Sequence, residues 1–400
     1  MTEKKAGLWN PAFINILIVQ FCLQLGQQMM NTLVPKFADS LGATAYIVGL
    51  VSSIFSVSSL LILFVASPAF DCYSRKKMLI IAIAGMVVSF AGYALSTTIP
   101  ALIVFRLLQG ACQGCIAALG LVMASDALPP DQMGRGIGIF ALCQAVGQAV
   151  GPGFGLKMSA GIGYRSTFFI GAATMLLAFV FAFFIKETRV PTGKYKIALN
   201  RIVDKDAFHS AVLIFALQGP YCCISSFIAI YGGLRGVADI GLYFTVYAVF
   251  LLLTRPLSGM MVDKIGPDLV LIFGIACFAI SFYIISISST LTMFLVAAAV
   301  GAFGYGVCQP TLNYMSMKCV PSSRRGAASS TINIGMSVGF LLGVTFAGYV
   351  VDWLTSVTGS EVQAYSAMYV VMILPMVFAL VYFLVVRGRI HEAIGKAQEG

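Results

Sequence analysis

The feature that most limits how this chain can fold is a run of twelve long apolar segments divided into two matching halves. Asp71 and Asp263, Pro129 and Pro321, Gly147 and Gly339, and Gly151 and Gly343 are each separated by 192 positions. Each Asp closes a short loop after an apolar run, and each Pro precedes a basic residue and the next apolar run. A duplicated six-helix unit is the economical explanation, and membrane bundles built by such duplication are characteristic of secondary transporters.

Composition supports the membrane. Of 400 residues, 59% are hydrophobic and 10% charged, and the mean hydropathy is +0.94. A soluble protein could not bury that much apolar surface, whereas lipid accepts it without penalty. Crossing a hydrocarbon core of ~30 Å takes about 20 helical residues. The segments that meet this length lie near 13–35, 45–66, 78–97, 100–124, 136–160, 165–185, 208–231, 240–257, 268–288, 291–315, 326–350 and 366–386. The first is too long and too rich in glutamine to read as a cleavable signal.

Charge sets the expected orientation. With a cytoplasmic N-terminus, most basic residues fall on the inner side, among them Arg75, Lys76, Lys77, Arg135, Lys186, Arg255, Lys264, Arg324, Arg325 and Arg387. The outer side keeps Lys36, Lys157, Arg165 and Arg235. The positive-inside rule therefore predicts that both termini are cytoplasmic. The net charge of +10 follows from topology, so no nucleic-acid partner is expected. The expected setting is a cell membrane, specifically a bacterial inner membrane, with the lipid bilayer and a small-molecule substrate as partners and the chain acting as a monomer.

The predicted organisation is an N-terminal six-helix bundle over 1–185, a cytoplasmic linker over 186–206 and a C-terminal six-helix bundle over 207–400. The linker is too short for a domain, and a short surface helix is expected over 197–203. Ten cysteines invite a metal or redox reading. However, the C-x-x-C of Cys112 and Cys115 and the adjacent Cys222 and Cys223 lie inside spans without His or carboxylate neighbours. They read as small soft packers, and no metal is expected. The spans hold no Ser/His/Asp set and no phosphate loop, which argues against an enzyme.

Polar residues recur at helical spacing inside several spans. Helix 1 carries Gln20, Gln24, Gln27 and Asn31 on one stripe. Helix 4 carries Arg106, Gln109 and Gln113, and helix 5 adds Gln144 and Gln148. In the second half, helix 7 offers Gln218, Tyr221 and Ser225, and helix 10 offers Tyr305, Gln309 and Asn313. In lipid such groups turn inward, towards a wet cavity or an interhelical hydrogen bond. Arg106 stands well inside a span, where a charge is costly and usually functional. It suits an anionic or carbonyl-bearing substrate, a carboxylate partner in one conformation, or a snorkelling role at the outer surface.

In helix 5, Gly147, Gly151 and Gly155 recur every four residues and line one face, while Pro152 removes a backbone hydrogen bond and bends the helix. A close-packed, kinked contact of this kind suits a rocking interface.

The loop SPAFDCYSRKK between helices 2 and 3 resembles the G-x-L-a-D-r-x-G-R-K signature of the major facilitator superfamily. Asp71, Arg75 and Lys76 match it, whereas Ser67 and Ser74 stand where glycines are usual. The second copy, GMMVDKIGP, keeps Gly259, Asp263 and Gly266 but has Pro267 in place of a basic residue. RLLQG at the start of helix 4 and GQAVGPGFG in helix 5 are similar to motifs of the drug:proton antiporter branch, with Leu156 replacing the last glycine of the second.

The resemblance implies an all-α membrane fold of twelve helices in two pseudo-symmetric bundles, with helices 1, 4, 7 and 10 around the cavity. It also implies a cytoplasmic latch of Asp71, Arg75 and Asp126, with Asp263 in the second copy. The leading expectation is proton-coupled efflux of a small amphipathic compound, with no cofactor beyond a proton gradient. The second is import of a polar or anionic nutrient, favoured by the glutamine stripe and Arg106. None of the fifteen carboxylates sits in the middle of an expected span, which counts against a buried proton carrier.

Overall fold

The computed structural model describes residues 9–128, 133–185, 187, 203–321 and 324–399. They form α1 (Pro11–Ser40), α2 (Ala45–Cys72), α3 (Arg75–Leu95), α4 (Ile99–Asp126), α5 (Met133–Ile162), α6 (Tyr164–Phe183), α7 (Phe208–Leu234), α8 (Leu242–Ile265), α9 (Pro267–Ile287), α10 (Leu291–Lys318), α11 (Arg325–Thr358), α12 (Glu361–Val371) and α13 (Ile373–Glu399). Among the described residues, ten helical stretches are long and apolar enough to cross a membrane. The two arms of α8, bent by 44° after Arg255, make an eleventh. α5 has 30 residues, ample at ~1.5 Å rise per residue for a core of ~30 Å.

α12 and α13 together form one such stretch, Glu361–Ala397, with a break at Met372. Pro375 has no N–H to return to the carbonyl of Val371, which accounts for the interruption. The expected helix over 197–203 falls almost wholly outside the described residues.

Helix ends follow local chemistry. Ser74 caps α3 by accepting from the Lys77 amide at 3.2 Å, and Ser360 caps α12 by accepting from that of Gln363 at 3.4 Å. Gly266 stops α8 with φ of 82°, and Pro267 then opens α9 at its first turn. This explains the departure of the second loop from its expected pattern: Pro267 is a helix starter where the first copy has a basic residue.

α8 runs eight residues beyond the expected end at 257, because Asp263 and Lys264 do not stop a helix and Lys264 complements its C-terminal dipole. Arg255, expected at the inner end of the span, is therefore a mid-helix residue of α8. α11 similarly continues to Thr358, where Gly359 ends it at φ 68°.

The chain divides into two compact units, Met1–Val34 with Val57–Ile197, and Pro35–Ser56 with Ala198–Gly400. This partition differs from the sequence boundaries at the end of α1 and the beginning of α2, which belong with the second unit. The duplication appears in the packing of each unit. In the first, α5 lies on α1, and a Cβ at Gly151 would fall 2.8 Å from Gln28 Cβ and 2.9 Å from the Leu25 carbonyl oxygen. In the second, α11 lies on α7, and a Cβ at Gly339 would fall 2.5 Å from the Phe215 carbonyl oxygen. The glycines paired across 192 positions thus make the same kind of helix contact twice.

The second unit also joins α2 to α11. The Asp352 carboxylate accepts from the backbone N–H of Ala45 at 2.8 Å and of Tyr46 at 2.9 Å, capping the N-terminus of α2. Farther along, the hydroxyls of Ser53 and Thr345 lie 3.1 Å apart, and Phe55 meets Phe340 edge to face at 5.3 Å.

Candidate substrate site

In the first unit, the expected polar residues of α1 and α4 meet in one buried network. Arg106 is 1% exposed and donates from Nη1 to Gln109 Oε1 at 2.9 Å. Gln109 Nε2 donates to Gln27 Oε1 at 3.1 Å. The hydroxyl of Tyr93, from α3, donates to the same Gln109 oxygen and lies within hydrogen-bond reach of Arg106. Snorkelling is therefore excluded for Arg106 in this structure, because its head group is held by internal partners. Gln109 is the junction: its oxygen collects two donors, and its nitrogen carries the chain to α1. Gln20 lies in the same unit, its Oε1 3.1 Å from where a Cβ at Gly120 would be.

The remaining residues of these stripes behave differently. Gln24, Gln113, Gln144 and Gln148 are half-buried, and Gln24 supports the close approach of Gly147. Asn31 donates to Gln28 Oε1 at 2.9 Å, while its own buried Oδ1 has no partner. An unpaired buried acceptor costs about 1–3 kcal/mol, so this position is one that a ligand or a water would stabilise.

In the second unit, α7 and α10 supply the core of the arrangement. Tyr305 donates its hydroxyl to Gln218 Oε1 at 2.5 Å, and Gln218 Nε2 donates to Cys222 Sγ at 3.2 Å. The rings of Tyr221 and Tyr305 stack at 4.0 Å with 7° between planes. Ser225 uses its hydroxyl locally, on the Cys222 carbonyl, while Gln309 and Asn313 are half-buried.

Sequence reasoning missed Tyr243, Tyr247 and Arg255 of α8 and Tyr93 of α3. The tyrosines of helices 3 and 8 were left with the apolar background, and a span ending at 257 put Arg255 at its inner end with the topogenic cations. The signal was nevertheless present, since Tyr243, Tyr247 and Arg255 fall on a four-residue repeat.

Two members of the expected latch meet. Arg75, 5% exposed, donates to Asp126 Oδ2 at 2.6 Å, joining the start of α3 to the end of α4. The Asp71 side chain lies outside the described residues. Asp263 is exposed near the end of α8, and no ion pair is described for it. The second unit carries a comparable clasp that the sequence did not suggest: Arg324, before α11, bridges Asp204 and Asp206, each at 2.9 Å. Asp126→Asn removes one charge-assisted hydrogen bond, worth about 1.5–3 kcal/mol when partly buried. We expect the purified variant to melt a few degrees below wild type, with little dependence on salt. A loss that disappears in high salt would mark the pair as a surface bridge.

The glycine stripe of α5 packs on α1 of its own unit, with Gly155 against Met29 and Leu33. In this structure the glycine face is a seam inside the first unit, and Pro152 is buried in it. Cys112 Sγ fills the space over Gly85, and Cys308 Sγ the space over Gly274.

Residues 16–237 and 210–399 match the sequence model of the Major Facilitator Superfamily. The chain is 26% identical over 374 residues to the "Multi-drug resistance efflux pump PmrA homolog" of Lactococcus lactis, covering 88% of this chain and 91% of that one. It is 24% identical over 372 residues to the "Multidrug resistance protein MdtG" of Escherichia fergusonii, covering 85% and 88%. Among solved structures, a mutant of the nucleoside transporter NupG superposes with a TM-score of 0.83 at 12% identity, covering 94% of this chain and 99% of that one.

Proposed function

This chain belongs to the Major Facilitator Superfamily, and from that premise we propose that it exports a small amphipathic compound in exchange for protons. It is a multi-pass membrane transporter with the major facilitator fold. The observation that carries the efflux reading is similarity to two multidrug pumps that runs through both halves of the chain. The RLLQG and GQAVGPGFG segments support it. In this reading the cavity opens to one side of the membrane at a time, and the gradient supplies the work. The transporter acts as a monomer in the cell membrane, with both termini in the cytoplasm.

A second reading, uptake of a polar or anionic nutrient, is favoured by the buried network around Arg106. Everted and right-side-out membrane vesicles separate the two. Accumulation of a fluorescent amphipathic dye in everted vesicles, abolished when the pH gradient is collapsed, is the result expected for efflux. Dye accumulation that survives collapse of the gradient removes proton coupling. Uptake restricted to right-side-out vesicles removes the export direction.

A further inference from the structure

We propose that Tyr221, Tyr243, Tyr247 and Tyr305, together with Gln218 and Arg255, form a binding subsite for a planar aromatic anion. The inference rests on the transporter reading and narrows its substrate class. Three helices of the second unit supply the residues. α7 gives Gln218 and Tyr221, α8 gives Tyr243, Tyr247 and Arg255, and α10 gives Tyr305. The close packing of α8 on α10 is direct: a Cβ at Gly306 would fall 2.3 Å from Thr254 Oγ1, and one at Gly301 would fall 3.6 Å from Tyr247 Cε2.

The rings form a continuous aromatic surface. Tyr305 is buried behind Tyr221, which is half-buried and stacked on it. Tyr247 lies 6.2 Å from Tyr221 and 6.0 Å from Tyr243, centroid to centroid. Gln218 fixes Tyr305 through its hydroxyl, which makes the stacked pair a rigid platform. A flat ring laid against such a platform gains offset-stacking energy at little entropic cost.

Two observations point to a polar ligand. The hydroxyls of Tyr243 and Tyr247 are buried and have no hydrogen-bond partner. Native proteins rarely leave such groups unpaired, and an acceptor brought in by a ligand would satisfy them. Arg255 stands in the middle of α8, half-buried, within electrostatic reach of Tyr221 and Tyr305. A cation at that depth is costly and calls for an anionic partner, and the planar guanidinium matches a carboxylate.

Charge placement decides between anion and cation. Among the described residues, the carboxylates within helices lie towards helix ends, at Asp39, Asp71, Asp126, Asp263, Asp268, Asp352, Glu361, Glu392 and Glu399. The cation Arg255 stands in the middle of α8. In the second unit, a cation so placed repels lipophilic cations and attracts anions.

The test uses purified protein in detergent and three defined probes: 2-naphthoate, cyclohexanecarboxylate and 2-naphthylmethylamine. Calorimetry should show binding of 2-naphthoate, roughly tenfold weaker binding of the non-aromatic acid, and none of the amine. Arg255→Gln should weaken 2-naphthoate binding by roughly tenfold or more, with Arg255→Lys in between. Tyr247→Phe should weaken binding several-fold while melting no lower than wild type, because it removes an unpaired buried hydroxyl. A wild-type protein that binds none of the probes, or the amine alone, overturns the proposal. So does an Arg255→Gln protein that binds 2-naphthoate like wild type. The assay needs no gradient, so it is separate from the transport reading. Binding without vesicle transport would remove only that reading, and dye transport without naphthoate binding would remove only the subsite.

Discussion

Gly343→Leu is expected to leave essentially no folded protein. A Cβ at Gly343 would lie 2.3 Å from the Cα of Gly219, a backbone atom of the facing helix. No rotamer change can relieve a backbone clash, so α7 and α11 would have to separate along the seam that organises the second unit. Overpacking usually costs about 1–3 kcal/mol where side chains can adjust, and more where they cannot. That is a large share of the roughly 5–15 kcal/mol that separates folded from unfolded chains. The variant should fail to give a monodisperse peak after solubilisation. Gly259→Ala is the matched control, because nothing lies within 4 Å of its added Cβ. It should fold normally and gain up to about 1 kcal/mol of helix propensity. A Gly343→Leu protein that melts like wild type would refute the close approach.

Arg106→Gln is expected to abolish transport of carboxylate-bearing compounds while leaving a folded protein. Arg106 is buried, and Gln109 and Tyr93 are among the groups that hold its guanidinium. A glutamine can take over a hydrogen bond to Gln109 but brings no charge to a low-dielectric interior. Removing one partner of a buried charged interaction typically costs about 3–5 kcal/mol, or roughly a hundredfold and more in anion binding. Arg106→Lys should recover part of the activity, since it keeps the charge and loses the planar fork. Accumulation of an externally added carboxylate-bearing dye in everted vesicles supplies the measurement. Wild-type dye transport by Arg106→Gln, at unchanged expression, would reduce Arg106 to a structural role.

The spans were legible because hydropathy over about 20 residues is a strong physical signal, and each expected segment coincides with an observed helix or broken helix. The glycine pairs were legible as a repeat, and their contacts are of the same kind in both units. Gln27 and Gln109 could be named from periodicity, but their partnership could not, since 82 positions separate them. Hydropathy alone hid the end of α8: polar residues there still satisfy helical hydrogen bonds, so Arg255 looked like a cation at the inner end of its span. Tyrosine was hidden by its double nature, apolar in the ring and polar at the hydroxyl, so the cluster on α8 disappeared into the span. The cap made by Asp352 was beyond sequence reasoning, because 307 positions separate it from Ala45 and only tertiary structure brings them together.

Transport by alternating access is expected to part the start of α2 from α11 and rejoin it during the cycle, and pulsed electron–electron distance measurements test that most directly. Nitroxide labels at positions 46 and 349, both exposed in the structure, report on α2 and α11 in lipid without a known substrate. Two populations are predicted, one short and one longer. Asp352→Asn removes the charge that caps α2 and should move weight to the longer distance by about 1–2 kcal/mol, or roughly five- to thirtyfold. A single short distance, unchanged by the substitution, would contradict the account.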